Sequence, residues 1–175
     1  CAYAPFNWSE QNENNHTLPV ANKANMFADG YDIQIAKILG EKLGIAVEIH
    51  QIEWDSLIPE LQFGGINAVI AGMTDTEERR QTIDFTNEYY RSELVLVVKD
   101  DIANQYTSAL SENEFANLIE NKMIVSQSST VTDDVIDIFA SSYGAIHNNP
   151  VSTFGYAAAD VQNGSAFAMT AELPV

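Results

Sequence analysis

At 175 residues with an apolar share of 46%, the chain can bury a real core as one ordinary domain or two small lobes, which excludes a disordered tail. Eight basic residues against twenty-five acidic ones give a formal charge of −17, a field that repels nucleic-acid phosphates and anionic membrane surfaces, so nucleic acid is not an expected partner. One cysteine, Cys1, excludes an intramolecular disulfide and a cysteine-based metal cluster, and no apolar run reaches the roughly eighteen residues of a membrane span.

In chain order, Tyr3, Phe6 and Trp8 form an aromatic knot around Pro5, and the Asn-rich run from Ser9 to Lys23 reads as an exposed loop. Gly30 precedes a helix with Ile35, Ile38, Leu39 and Leu43 on one face and Lys37, Glu41 and Lys42 toward water, stopped by Gly44. Val47 and Ile49 alternate with Glu48 and His50 as a half-exposed strand; Asp55 or Ser56 then caps a helix carrying Leu57, Ile58 and Leu61, with Pro59 in its first turn. After Gly64 and Gly65, the run Ala68 to Met73 reads as a strand buried on both faces that breaks at Gly72. Thr74, Asp75 and Thr76 are cap-type residues ahead of Glu77 and Glu78, the acidic first turn of a short helix.

That strand-to-helix junction carries chemistry. Backbone N–H groups point outward there, so a carboxylate can dock while Arg79 closes on it with a two-pronged, charge-assisted contact. The bland alternative makes Arg79 a surface partner of Asp75 or Glu77, and nothing at the junction resembles a nucleophile.

Leu94 to Val98 is a further apolar strand, and the polar turn Lys99, Asp100, Asp101 marks a hinge. Ser111 and Glu114 form a capping box ahead of Phe115, Leu118 and Ile119, followed by a strand over Met123 to Ser126. Thr130 opens a helix carrying Val131, Val135, Ile136 and Phe139; Ser152 or Thr153 opens another through Val161; Ala166 to Thr170 is a last strand. The expected architecture is therefore α/β, in two small lobes divided as 1–97 and 98–172, with 173–175 beginning a return segment. His16, His50 and His147 are scattered without metal-ligand spacing, and no cofactor is implied.

The segments CAYAPFNW, GYDIQIAKILGEKLG, EWDSLIPEL, AVIAGMTDTEERRQTIDFTNEYY and LVLVVK resemble the polar amino-acid branch of bacterial extracellular solute-binding proteins, the capture subunits of ABC importers. The resemblance implies a type II periplasmic binding protein-like fold closing on one free amino acid, outside the cytoplasm. The partner would be a membrane permease, and the chain a monomer. It further implies that Arg79 grips the ligand's α-carboxylate, aided by the backbone N–H groups of Thr74 and Thr130. The Gly72 carbonyl, Thr74 hydroxyl and Glu172 carboxylate would take the α-ammonium, and Tyr3 and Trp54 would sandwich a polar or cationic side chain. Composition alone would make Tyr3 and Trp54 core aromatics and Glu172 a solvated acid.

Three departures from the family pattern touch these contacts. Gln127, Ser128, Ser129 and Thr130 lack the usual glycine, Phe167 stands where aspartate is usual, and Leu173 where many relatives have arginine. Family register also places Cys1 at the end of a first strand cut short, rather than at a lipid attachment site, and implies that the closing C-terminal part lies beyond this sequence. Two other uses of such a module are a sensor domain of a membrane receptor or kinase, and a cyclohexadienyl dehydratase-like enzyme, which would need a general acid facing the ligand.

Overall fold

The computed structural model describes residues 2–173, so the readings of Cys1 and of the segment past Leu173 lie outside the described residues. The chain divides into two compact units between Arg91 and Ser92.

In the first unit, β1 (Ala2–Tyr3), β2 (Asn7–Glu10), β3 (Leu18–Pro19) and β4 (Phe27–Asp29) form one antiparallel sheet in the order β1-β2-β4-β3. The Asn-rich run expected as loop thus holds the end of β2 and all of β3. What orders it is Val20, 3% exposed and packed with Ala28 and Ile33 under Leu18, Met26 and Ile49. A single buried valine in a polar stretch has no period to betray it.

Helix α1 (Tyr31–Leu43) packs on β2 and β4. Its buried face is Asp32, Ile33, Ala36 and Gly40, whereas Ile38, Leu39 and Leu43 of the expected face are 46%, 44% and 66% exposed. Both stripes have helical spacing; the small residues decide, because Gly40 lets Val47 come so close that a Cβ would meet its Cγ2. The first turn of α1 is capped from outside by backbone: Tyr31 N–H donates to the Pro5 carbonyl at 3.1 Å and Asp32 N–H to that of Phe6 at 2.9 Å. This requires a glycine at position 30, whose φ is +120° and whose missing Cβ would stand 2.3 Å from the Phe6 carbonyl oxygen.

Two expected strands of this unit are not strands. Val47 to His50 contributes one parallel bridge, Ile49 to Val20, and Ala68 to Met73 is irregular, with Ala68 exposed. An apolar run signals burial, but a strand also needs a hydrogen-bonded neighbour, and none among the described residues pairs with 68–73. Between them a 3-10 turn over Trp54–Ser56 leads into α2 (Leu57–Gln62), with Pro59 in its first turn as expected. Of the three cap candidates before α3 (Glu77–Arg80), Thr76 is the one used, its hydroxyl accepting from Arg79 N–H at 3.2 Å.

The second unit follows the alternating pattern read from sequence. Strands β5 (Glu93–Val98), β6 (Met123–Val125), β7 (Ile146–His147) and β8 (Ala168–Leu173) lie in the order β5-β8-β6-β7, with β8, β6 and β7 parallel and β5 antiparallel. Because β5 pairs with β8 over six residues, it belongs here rather than to a first lobe ending at residue 97. The polar turn read as a hinge is the N-cap and first turn of α4 (Asp100–Ala103), also inside this unit.

Alternate residues of β6 and β8 face opposite layers. Ile124 and Ala168 join Ile119 of α5 (Glu112–Ile119) and Ile136 of α6 (Val131–Tyr143); Val125 and Met169 join Ala157 and Val161 of α7 (Phe154–Asn163). Burying each of the three isoleucines contributes about 1.5–3 kcal/mol. The capping box forms, Ser111 N–H donating to Glu114 Oε2 at 2.8 Å, and Thr130 and Thr153 cap α6 and α7.

Gly30→Ala should destabilise the first unit by roughly 2–4 kcal/mol, since a Cβ both clashes with the Phe6 carbonyl and forbids the positive φ. Urea unfolding reads it; a loss below about 0.5 kcal/mol would contradict the capping role given to Phe6.

Candidate functional site

In the first unit, the five predicted residues gather around the irregular segment 72–76 and the start of α3. Gly72, at φ +60°, lies against the Tyr3 ring, where an added Cβ would meet Tyr3 Cε1 at 3.0 Å. Tyr3 in turn stacks on buried Phe6, with centroids 5.1 Å apart and planes at 18°. On the other side of the segment, Arg79 Nη1 donates to the Thr74 carbonyl at 2.7 Å, and the guanidinium carbon sits 5.7 Å from the centroid of the Trp54 ring. Edge and face of the guanidinium are therefore both held, the edge by a peptide dipole and the face by the indole quadrupole. Asp75, weighed earlier as a partner of Arg79, makes a two-pronged ion pair with Arg80, whose hydrogen bond holds the Asp75 carboxyl below its ordinary range.

A polar chain that sequence reasoning missed supports this segment from below. Gly72 N–H donates to the Tyr89 hydroxyl at 2.9 Å, and that hydroxyl donates to Asp32 Oδ1 at 2.8 Å. Asn7 Nδ2 donates to Oδ2 of the same carboxylate at 2.8 Å. Asp32 is 0% exposed, and burial raises its pKa against the opposing hydrogen bonds from Asn7 and Tyr89. The available signal was an acid on the Ile33, Ala36, Gly40 face of α1, legible only once that face is known to be the buried one.

In the second unit, Thr130 is buried at the start of α6. Its hydroxyl donates to the Gln127 carbonyl at 2.7 Å and accepts from Asp133 N–H at 3.3 Å. With its one proton so placed, Thr130 Oγ1 accepts from Thr132 Oγ1 at 2.7 Å. Where the family pattern has a glycine in this turn, Ser129 carries the positive φ, at 58°. Glu172 on β8 is 9% exposed, so it is a buried carboxylate rather than the solvated acid that composition suggests. It shares a strand face with Thr170, which is two residues away and donates to the Thr132 carbonyl at 2.7 Å. Phe167, another departure from the pattern, packs beneath the Lys122 ammonium, 5.4 Å from its centroid; Leu173 is exposed at the end of β8.

His147, which the sequence shows only as a histidine without metal-ligand spacing, ties β7 to α6. Its Nε2 meets Asp133 Oδ1 and its Nδ1 meets Asp137 Oδ1, each at 2.8 Å, and Ser126 Oγ donates to Asp133 Oδ1 at 2.9 Å. Asp133 and Asp137 are one helical turn apart, a spacing visible in the sequence. The two ring nitrogens face opposite carboxylates, a clamp rather than a ligand set, and no metal-holding group of three such side chains occurs among the described residues. No helix among them is long and apolar enough to cross a membrane.

The sequence profile of the bacterial extracellular solute-binding proteins, family 3, matches residues 3–163. The arginine-binding extracellular protein ArtP of Bacillus subtilis (strain 168) is 36% identical over 72 residues, which is 41% of this chain and 28% of that protein. Among solved structures, the ancestral amino acid-binding protein AncCDT-1, a precursor of cyclohexadienyl dehydratase, is 28% identical with a TM-score of 0.79, covering 99% of this chain and 68% of that one. An ancestral arginine-binding protein bound to glutamine is 27% identical with a TM-score of 0.73, covering 98% and 65%. The chain thus spans under a third of the matched curated relative and about two thirds of the solved structures.

The His147 clamp has a pH signature. Although burial opposes it, hydrogen bonds to Asp137 and Asp133 and their charges raise the imidazole pKa above its ordinary value of 6.5. A raised folded-state pKa gives stability that is fully present below the unfolded value and lost as pH rises through the folded one. The difference in Tm between the protein and His147→Asn should therefore be largest near pH 6 and shrink as pH is raised past the folded-state pKa. A difference constant across that range would refute the clamp.

Proposed function

We propose, for a chain that belongs to the bacterial extracellular solute-binding proteins, family 3, that it captures a free polar or cationic amino acid outside the cytoplasm and delivers it to an ABC importer. The observation that carries this reading is the held guanidinium of Arg79. A fork fixed by a carbonyl at its edge and an indole at its face has lost most of its rotamer entropy before a ligand arrives, so little remains to be lost when it meets a carboxylate. The Gly72 carbonyl, the Thr74 hydroxyl and Glu172 then serve the ammonium, and the backbone N–H groups of Thr74 and Thr130 assist at the carboxylate. Tyr3 and Trp54 flank the side chain, where Trp54 also braces Arg79.

Binding in this reading works by closure of two lobes on the ligand, driven only by the ligand's higher affinity for the closed form. The importer permease recognises that form, and the binding protein acts as a monomer. The negative field of the chain and the two flanking rings favour a cationic side chain; relatives named for arginine support the same class.

A dehydratase reading draws on one structural neighbour named as a precursor of such an enzyme. Against it, Asp75 is a poor general acid, because Arg80 keeps its carboxyl ionised.

In a thermal-shift panel of the twenty amino acids, a ligand at one hundred times its Kd adds about 2.7 kcal/mol of stability, and arginine, glutamine or histidine should give the largest rise. Arg79→Ala should weaken that ligand by at least about a hundredfold while leaving the unliganded Tm within a few degrees. No shift with any amino acid, or unchanged affinity in the variant, would overturn the reading.

A further inference from the structure

The polar chain from Asn7 to Gly72 has a direction. Asn7 and Tyr89 both donate to the Asp32 carboxylate, which spends the single proton of the Tyr89 hydroxyl and leaves its oxygen to accept the Gly72 amide. Burial first, then the adjacent Asp32 charge, pushes the Tyr89 phenol above its ordinary range, so it keeps that proton. The Tyr31 hydroxyl also donates to the Tyr89 carbonyl at 3.1 Å and the two rings stack at 6.1 Å, so the donor is held at both ends.

We propose that Asp32 is a positioning residue for the ligand-facing loop: acting through the Tyr89 hydroxyl, its carboxylate pins the Gly72 N–H and so fixes the peptide plane that enters Gly72, the base from which the Gly72 carbonyl is presented. This rests on the reading of Gly72 as an acceptor for the ligand's ammonium. Gly72 has no side chain to limit its own backbone, and it sits at a positive φ with the Tyr3 ring against it. An outside tether on its N–H fixes one of the two peptide planes that meet at such a residue and so halves the freedom left to its carbonyl. A charged acceptor buried at 0% exposure costs desolvation that an apolar residue would avoid, which a purely structural site on α1 would not require.

The polarity makes the test sharp. In Asp32→Asn, with Asn7 kept in its donating orientation, the amide oxygen is needed opposite it, so the new NH2 faces Tyr89. The hydroxyl must then accept, turning its own proton at the Gly72 N–H, and two donors oppose each other with almost no change of shape. Tyr89→Phe removes the tether outright.

Titration calorimetry with L-arginine and L-glutamine, at a temperature where every variant is folded, should show each substitution raising Kd about tenfold. Amide hydrogen exchange should show Gly72 speeding up by roughly tenfold or more while Ala28 and Ile33 stay protected. Faster exchange at Gly72 with Kd within twofold would reduce Asp32 to a structural role and overturn the proposal, as would unchanged exchange. If the unsubstituted protein binds neither amino acid, the amino-acid reading is what fails, and the exchange comparison alone decides whether the tether exists.

Discussion

The proposed capture of a carboxylate depends on a guanidinium that is held before any ligand arrives. Arginine is a long side chain whose rotamer entropy normally weakens its contacts, and the fold removes that entropy twice, with the Thr74 carbonyl on its edge and the Trp54 ring on its face. Both partners come from irregular or short elements: Trp54 from a 3-10 turn, Thr74 from the coil after Gly72. Such segments hold a site only if something else holds them. Around Gly72 that support includes Phe6, whose carbonyl caps α1, whose ring backs Tyr3 and packs edge-to-face with Tyr90, centroids 4.9 Å apart.

The second unit solves the same problem with regular structure. A sheet packed on both faces fixes β8 and the turn at the start of α6, so Thr130 and Glu172 are buried on a rigid frame rather than on coil. A titratable fastening, the His147 pair of contacts, reaches Asp133 and Asp137 in the first two turns of α6 and couples that part of the helix to β7.

How much of this the sequence made legible differs between the halves for a physical reason. The second unit has strong local signals: Ser111 with Glu114, Thr130 and Thr153 are all used as caps, and the alternation of strand and helix is real. In the first unit, local signals and tertiary outcome part company. The stripe Ile35, Ile38, Leu39, Leu43 and the stripe Ile33, Ala36, Gly40 are equally helical in period, and only the close approach of Val47 at Gly40 tells them apart. Ala68 to Met73 has the composition of a buried strand but no strand paired with it among the described residues, which composition cannot report. Tyr3, Trp54, Gly72, Thr74 and Arg79, proposed to meet the ligand, come from motif context, whereas Asp32 and Tyr89 do not, because what joins them is a contact between residues 57 apart in the chain.

In the proposed function Arg79 reads a carboxylate. Its most direct test is calorimetric comparison of the preferred amino acid with its α-carboxamide, which keeps the ammonium and the side chain but removes the negative charge. Affinity for the amide should be at least about a hundredfold weaker, the loss expected when a two-pronged ionic contact is replaced by a neutral one. Equal affinity for the acid and its amide would contradict it.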